Sequence, residues 1–470
     1  MQTAAVGELR EELDGAEIPD WRLRERLLAL AEALDGSPDA SLPGAVKTTA
    51  AREAAYRFLG NRRVSLQGIL APHIRATARR CRQGGPVYVV SDTSEFSFSG
   101  KERGKKLGRL QGKSRGFLGH FGFAISGAGE PLGVLGIDVI VRDEAPKQQR
   151  NIYQRKKDPD RESLRWAAMV EQTSSVLEDA AAIHVMDAEA DIYELLTTLQ
   201  GRGRRFIIRS GQDRLVDDGH LADKVARGTV FFSREVRLGR RSNHANASHS
   251  RRNPPRQGRL AELTVSALRV SLRRPKTCTV DYPALLPVNV IRVYEARPPQ
   301  GEQPVEWVLF TSEPIDSPSD VAAVVDGYRR RWLIEEYFKA IKTGCSFERR
   351  ELESVRTLSN LLAIVAVIAW RLLLLRTLER QNSSKPATDI VEPELVDALA
   401  ARLQDIGERQ PLPSPPSVAD FMNGVARLGG HITSNGAPGW QVLWRGYQDL
   451  LVWAGGYIRR GKSITYKDQS

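Results

Sequence analysis

Cysteine is scarce in this sequence: Cys81, Cys278 and Cys345 are odd in number and far apart among 470 residues. That excludes a disulfide framework and paired thiolate ligands for zinc. Histidine is sparse too, and none of the seven has a partner four residues away, the spacing that sets two imidazoles on one helical face. A metal here must be held mainly by oxygen. Long apolar runs are also missing. The strongest, LLAIVAVIAW at 361–370, is interrupted by Arg371, well short of the roughly 20 residues a bilayer span needs, which predicts a buried helix and no membrane partner. The opening stretch, MQTAAVGELREELDG, carries acids and no apolar segment of a secretory signal, so the chain is expected to stay inside the cell. No internal repeat occurs. The loop GRLQGKS imitates a phosphate-binding loop, but that pattern needs a glycine five residues before Gly112 and position 107 is leucine. No nucleotide cofactor is expected.

What is abundant is positive charge. Lysine and arginine number 69 against 57 acids, a net +12, which favours a polyanionic partner, nucleic acid or an anionic membrane. The length suggests two to four structural units. Residues 1–70 read as amphipathic helices with basic exposed positions, among them WRLRERLLALAEAL. Three apolar runs follow, VYVVSD, FLGHFGFAIS and PLGVLGIDVIVRD, and predict a strand meander. A helix near 161–180, the short strand AIHVMD, a second helix and the strand RRFIIRS then alternate, giving a mixed α/β pattern. Further strands at about 212–312 read as an inserted β subdomain with a polar, basic loop, and from 317 the chain reads as helical apart from the proline-rich link ERQPLPSPPS.

The stretch YRRRWLIEEYFKAIKTG at 328–344 is dense in both charges. Wound as one helix, it places Tyr328, Arg331, Glu335, Lys339 and Lys342 within an arc of about 80°, opposite an apolar back of Leu333, Ile334, Tyr337, Phe338 and Ile341. Taken alone, such a helix reads as a solvated face with charges paired four apart. Two other acids bear on the choice. Asp92, in VVSDTSEF, ends the first predicted strand, and Asp187, in HVMDAEADIYELL, ends the fourth. Either alone reads as a turn or helix cap; together they lie where α/β sheets place their sites, and a following helix can add a third acid. Three carboxylates on one point repel and imply a cation between them. All-oxygen ligands favour Mg²⁺ or Mn²⁺, and two such ions about 4 Å apart suit phosphodiester displacement.

These motifs resemble the bacterial cut-and-paste DNA transposases of the insertion-sequence-four family. The family hallmark is tyrosine, two residues, arginine, three residues, glutamate, six residues, lysine, and Tyr328, Arg331, Glu335 and Lys342 match every spacing. DTS at Asp92 and DAEADI at Asp187 resemble the motifs of its other carboxylates. The likeness continues in AAYRFLGN, GKSRG, RRFIIRS, VARLGGH and GWQVLWRGYQDL. Ala188 departs from it, standing where a basic residue is usual. The resemblance implies a ribonuclease-H-like mixed-sheet core (71–375) interrupted by the β insertion, an N-terminal helical DNA-end-binding domain (1–70) and a C-terminal helical dimerisation domain (376–470). It implies that Asp92, Asp187 and Glu335 are catalytic and ligate two Mg²⁺ ions, with Mn²⁺ as substitute. Tyr328, Arg331 and Lys342, with Lys339 beside them, would hold phosphates near the cleaved end. Trp307 would stack on a flipped base, although as a strand residue it reads equally as core. Arg209 would lie near the site, and Arg57 on the end-binding helix. Lys113 and Arg115, in the glycine-spaced loop GKKLGRLQGKSRG, are placed to touch phosphates. The implied activity is excision from terminal inverted repeats through a hairpin, then joining of 3′ ends to target DNA by a homodimer in the bacterial cytoplasm, associated with the nucleoid. The alternative is a catalytically silent end-binding repressor.

Overall fold

Side-chain caps mark where the N-terminal helices begin. In the computed structural model the described residues are 9–98, 107–112, 114–142, 158, 161–178, 181–241, 255–278, 281–381, 383–408, 410–432 and 437–465. After α1 (Leu9–Leu13), Asp20 accepts from the Arg22 amide to open α2 (Trp21–Asp35), and α3 (Leu42–Ala45) follows. Thr48 opens α4 (Thr49–Gly60), and Ser65 opens α5 (Leu66–Cys81). An oxygen at these positions satisfies amides the helix leaves unpaired. Leu23, Leu27, Leu30 and Leu34 bury one face of α2.

β1 (Val87–Ser97), β3 (Arg115–Ser126) and β4 (Pro131–Ile140) form an antiparallel meander, with the short β2 (Gly108–Arg109) outside β3. Helix α6 (Leu164–Leu177) leads to β5 (Ala182–Met186), which lies parallel to β1 on its other side. Helix α7 (Tyr193–Gly201) then leads to β6 (Arg205–Arg209), parallel to β5. Parallel neighbours need such helical crossovers. An antiparallel meander with two parallel strands added fits the ribonuclease-H-like core.

The strands of residues 212–312 extend this same sheet. β12 (Glu306–Thr311) pairs antiparallel with β6, and β11 (Leu285–Tyr294), β10 (Arg259–Arg273) and β9 (Thr229–Leu238) follow outward; the small β7 (Leu215–Val216), β8 (Gly219–His220) and α8 (Leu221–Val225) close the far end. One twelve-stranded sheet results among the described residues. A separate core containing Trp166, Tyr193, Leu272, Val290 and Phe310 lies under this half.

α9 (Pro318–Arg329), α10 (Trp332–Lys339) and a π-helical turn (Ala340–Gly344) lead to α11 (Val355–Arg380). α11 is long and apolar enough to cross a membrane by length and composition, yet its apolar window is wholly buried inside the protein. Arg371 does not end it: the guanidinium is buried and bonded to Asp35 and Glu392, each at 2.8 Å, so the charge is tolerated within a core helix. α12 (Pro393–Asp405), α13 (Val418–Leu428) and α14 (Trp440–Thr465) complete the chain. The expected domain limits at 70/71 and 375/376 fall inside α5 and α11, because the capping residues Ser65 and Ser354 start those helices earlier and nothing breaks them at the limits.

A buried cluster ties α1 to the sheet. Glu12 accepts from His73 Nδ1 at 2.5 Å and Arg80 Nη1 at 2.6 Å, while His73 Nε2 accepts from the Val134 amide at 3.1 Å. Burial opposes the Glu12 charge, but the His73 hydrogen bond and Arg80 outweigh it and hold its pKa at about 2, below the ordinary 4.5. A depressed carboxylate stabilises the fold fully above its unfolded pKa. That contribution is lost as pH falls from 4.5 towards about 2. Glu12→Ala strands the Arg80 charge, so thermal melts should show a loss of about 3–5 kcal/mol at pH 7 and a smaller loss near pH 3.

Candidate active site

β5 ends at Met186, opposite Ser91 of β1, so the next residue on each strand is an aspartate. Parallel neighbours lie about 4.8 Å apart, which starts Asp92 and Asp187 side by side. Asp92 does not end its strand, contrary to the sequence reading: β1 goes on pairing with β3, from Asp92 opposite Phe121 to Ser97 opposite Gly116. Only its partner β5 stops. Asp187 is also a cap, its Oδ1 accepting from the Glu189 amide at 2.9 Å and opening a short 3-10 turn, Ala188–Ala190. Asp92 Oδ1 accepts from the Thr93 amide at 2.7 Å.

Glu335 arrives on α10. The single helix expected over 328–344 is instead three pieces: α9 ends at Arg329, a turn through Arg330 and Arg331 precedes α10, and the π turn follows. One straight helical wheel therefore fails. Tyr328 is buried, its ring 6.0 Å from that of Trp307. Trp332, not singled out in the sequence, takes an outer position and is 59% exposed. Lys339 pairs with Glu336 at 2.8 Å and lies 5.6 Å from the Trp332 ring centre, and the Lys342 ammonium lies 5.4 Å from that of Phe96. Glu336 also accepts from the buried Arg376 at 2.9 Å, anchoring α10 to α11. Its neighbour Glu335 is thereby left to face the aspartates.

Arg331 sits among the acids. Its Nη1 donates to Asp92 Oδ2 at 2.6 Å and its Nη2 to Glu335 Oε1 at 3.3 Å. Asp187 also acts on its charge. Burial pushes the Asp92 carboxyl up to about 7; Arg331 pulls it down, while Asp187 and Glu335 push it further up. Burial raises the Tyr328 phenol, which feels Arg331, Arg209 and Asp187. Arg209 ends β6 opposite Leu309, and Trp307 lies two residues before Leu309 on β12. Asp92, Asp187, Glu335, Arg331, Tyr328, Arg209 and Trp307 thus gather near the carboxyl ends of the central strands β5 and β6. Arg115 is elsewhere, six strand positions from Phe121, or roughly 20 Å along β3. Arg57 is exposed on α4, and Lys113 lies outside the described residues.

The donor set fits a hard divalent cation: three carboxylates carry more negative charge than one guanidinium balances. The side chains are not already arranged for one. Among the described residues no group of three or more histidine, cysteine, aspartate or glutamate side chains stands ready to hold an ion. Arg331 bonds both Asp92 and Glu335, so an ion competes with the guanidinium for these two carboxylates. The sequence also gave no prominence to Thr93, Arg165 and Glu189, which surround the two aspartates. Their one visible signal was adjacency to Asp92 and Asp187.

The geometry gathers carboxylates at the ends of the central strands of a ribonuclease-H-like sheet, and sequence comparison agrees with that class. Residues 166–371 match the transposase DDE domain, and residues 8–64 match the transposase DNA-binding domain. Together they support a DDE transposase, a DNA-cleaving and strand-transferring enzyme of a kind that generally uses divalent metals. The chain is also similar to the piggyBac transposase in a synaptic complex with hairpin DNA, at 10% identity over 68% of this chain and 52% of that one, with a TM-score of 0.31. The match spans about half of that protein's length, and at that score it supports no statement about chemistry here.

Proposed function

We propose that this transposase binds the terminal inverted repeats of its own element as a homodimer, cleaves them through a hairpin intermediate and joins the 3′ ends to target DNA. That is the activity of the insertion-sequence-four family and, within it, of the transposon-five transposase, which the motifs resemble most. The observation that carries the reading is the gathering of Asp92, Asp187 and Glu335 around one guanidinium. These three carboxylates would hold Mg²⁺ or Mn²⁺, which would lower the pKa of a water or of the DNA 3′-hydroxyl and stabilise charge on the leaving oxygen. Arg331 exchanges Asp92 for a DNA phosphate, an anion that a guanidinium can hold bidentately. Tyr328, Lys339, Lys342 and Arg209 position the phosphates of the cut end. Trp307 offers a ring face to a base out of the stack, which recovers part of the few kcal/mol that extrusion costs. Arg57, Lys113 and Arg115 contact the backbone farther along the duplex.

The closed Arg331–Asp92 pair is also what a silent end-binding repressor would carry. One experiment separates the two readings. The protein is incubated with a duplex carrying the inverted repeats that bracket its reading frame, and binding is followed by mobility shift and cleavage by denaturing gel in Mg²⁺. Shifted DNA with nicked and hairpin-ended products is expected. A shift without cleavage leaves the repressor, and no shift overturns both.

A further inference from the structure

We propose that Arg165 is a positioning residue that fixes the separation of Asp92 and Asp187 by bridging Thr93 and Glu189, the two residues whose backbone amides hold those aspartates. The inference rests on the proposed catalytic role of the acids. Arg165 lies in the first turn of α6, its guanidinium 5.2 Å from the Trp166 ring centre and its side chain 10% exposed. Nε donates to Thr93 Oγ1 at 3.0 Å, and Nη2 donates to Glu189 Oε2 at 2.5 Å. Nη1 is held by the Glu162 carbonyl at 3.0 Å. Each bridged residue gives its own amide to a carboxylate: Thr93 to Asp92 Oδ1 at 2.7 Å, Glu189 to Asp187 Oδ1 at 2.9 Å. One planar, rigid fork thus spans both aspartate loops.

The direction of the hydrogen bonds makes the bracket specific. An arginine Nε can only donate, so Thr93 Oγ1 accepts there, and the same hydroxyl is hydrogen-bonded to His120 Nδ1 at 2.8 Å. His120 is wholly buried and stays neutral, because burial first and then the Arg165 charge hold its pKa at about 3. Its Nε2 has no hydrogen-bond partner, and the ring meets Trp166 nearly edge-on at 4.7 Å. Thr93 is therefore pinned from both sides. A lysine lacks the planar fork that meets Thr93 through Nε and Glu189 through Nη2, and a valine at 93 keeps the strand but loses both hydroxyl bonds.

The test uses the full chain and its end DNA. Mn²⁺ binding without DNA is read by electron paramagnetic resonance, and cleavage is measured at saturating DNA. Residues that orient metal ligands typically change affinity or activity by about 10–100-fold. T93V and R165K should each weaken Mn²⁺ binding and slow cleavage by factors in that range, with end binding unchanged, and T93S should restore both. Unaltered Mn²⁺ binding in T93V overturns the bracket. So does R165K losing DNA affinity with its metal titration intact, which would make Arg165 a DNA contact. D92N serves as the control: cleavage by D92N removes the proposed catalytic centre, whereas an inactive D92N beside a normal T93V removes the bracket alone.

Discussion

Asp92→Asn, Asp187→Asn and Glu335→Gln should each reduce metal-dependent cleavage of end DNA at least about 1,000-fold, or ~4 kcal/mol of barrier, with end binding intact. The amide keeps the shape and one acceptor oxygen but removes the charge a hard divalent ion requires. The same replacements should not unfold the protein. The cluster holds three carboxylates and Arg331, so deleting one acid relieves repulsion and leaves the guanidinium with Glu335 or Asp92 still beside it. At Asp92, burial already favours the neutral form, with a pKa of about 7. D92N should therefore melt no lower than the parent at pH 8. A structural acid behaves oppositely, as Glu12 does, where removal strands a buried partner. Undiminished cutting by any one of the three variants would remove that residue from the proposed centre; a lowered melting temperature with proportionate loss of DNA binding would make its role structural.

Much of this was readable from the sequence because it depends on local chemistry. The change from helical to apolar strand-like runs near residue 87 marks where β1 begins. Asp92 and Asp187 stood out because each follows a short apolar strand, and adjacent parallel strands then bring them together. What was not readable depends on contacts remote in sequence. Arg331 meets Asp92 across 239 positions, and no spacing rule reports that a guanidinium sits between two acids. The division of 328–344 into α9, α10 and a π turn likewise escaped the helical wheel, which assumes 100° per residue throughout; π turns are rare and recur at functional sites. Nor does alternation within a strand say which strand lies beside it. The pairing of β12 with β6, which makes the expected insertion continuous with the core sheet, is set by tertiary packing.

Arg331 is where the fold and the proposed chemistry make opposite demands, and Arg331→Ala should expose the conflict. Asp92 and Arg331 are a largely buried pair, with side chains 13% and 16% exposed. Without the guanidinium, Asp92 faces Asp187 and Glu335 with no counter-charge. Removing one partner of such a pair costs about 3–5 kcal/mol. The sign with pH follows from the raised carboxyl: Asp92 binds its proton more tightly folded than unfolded, so its protonation stabilises the fold at low pH. That stability is lost as pH rises from 3.8 through about 7. R331A raises the folded pKa further, so its deficit in melting temperature should be large at pH 8 and small near pH 4. Divalent ions should then do for the variant what arginine does for the parent. With Arg331 no longer competing for Asp92 and Glu335, Mg²⁺ or Mn²⁺ at about 100 times its dissociation constant recovers ~2.7 kcal/mol, and the gain should exceed that of the parent at the same concentration. Cleavage should stay defective even so, because the phosphate loses its bidentate partner. Melting curves at pH 4 and pH 8, with and without Mn²⁺, decide the matter: an R331A deficit that ignores both pH and metal would mean the arginine only packs, and that the three acids do not share one cation site.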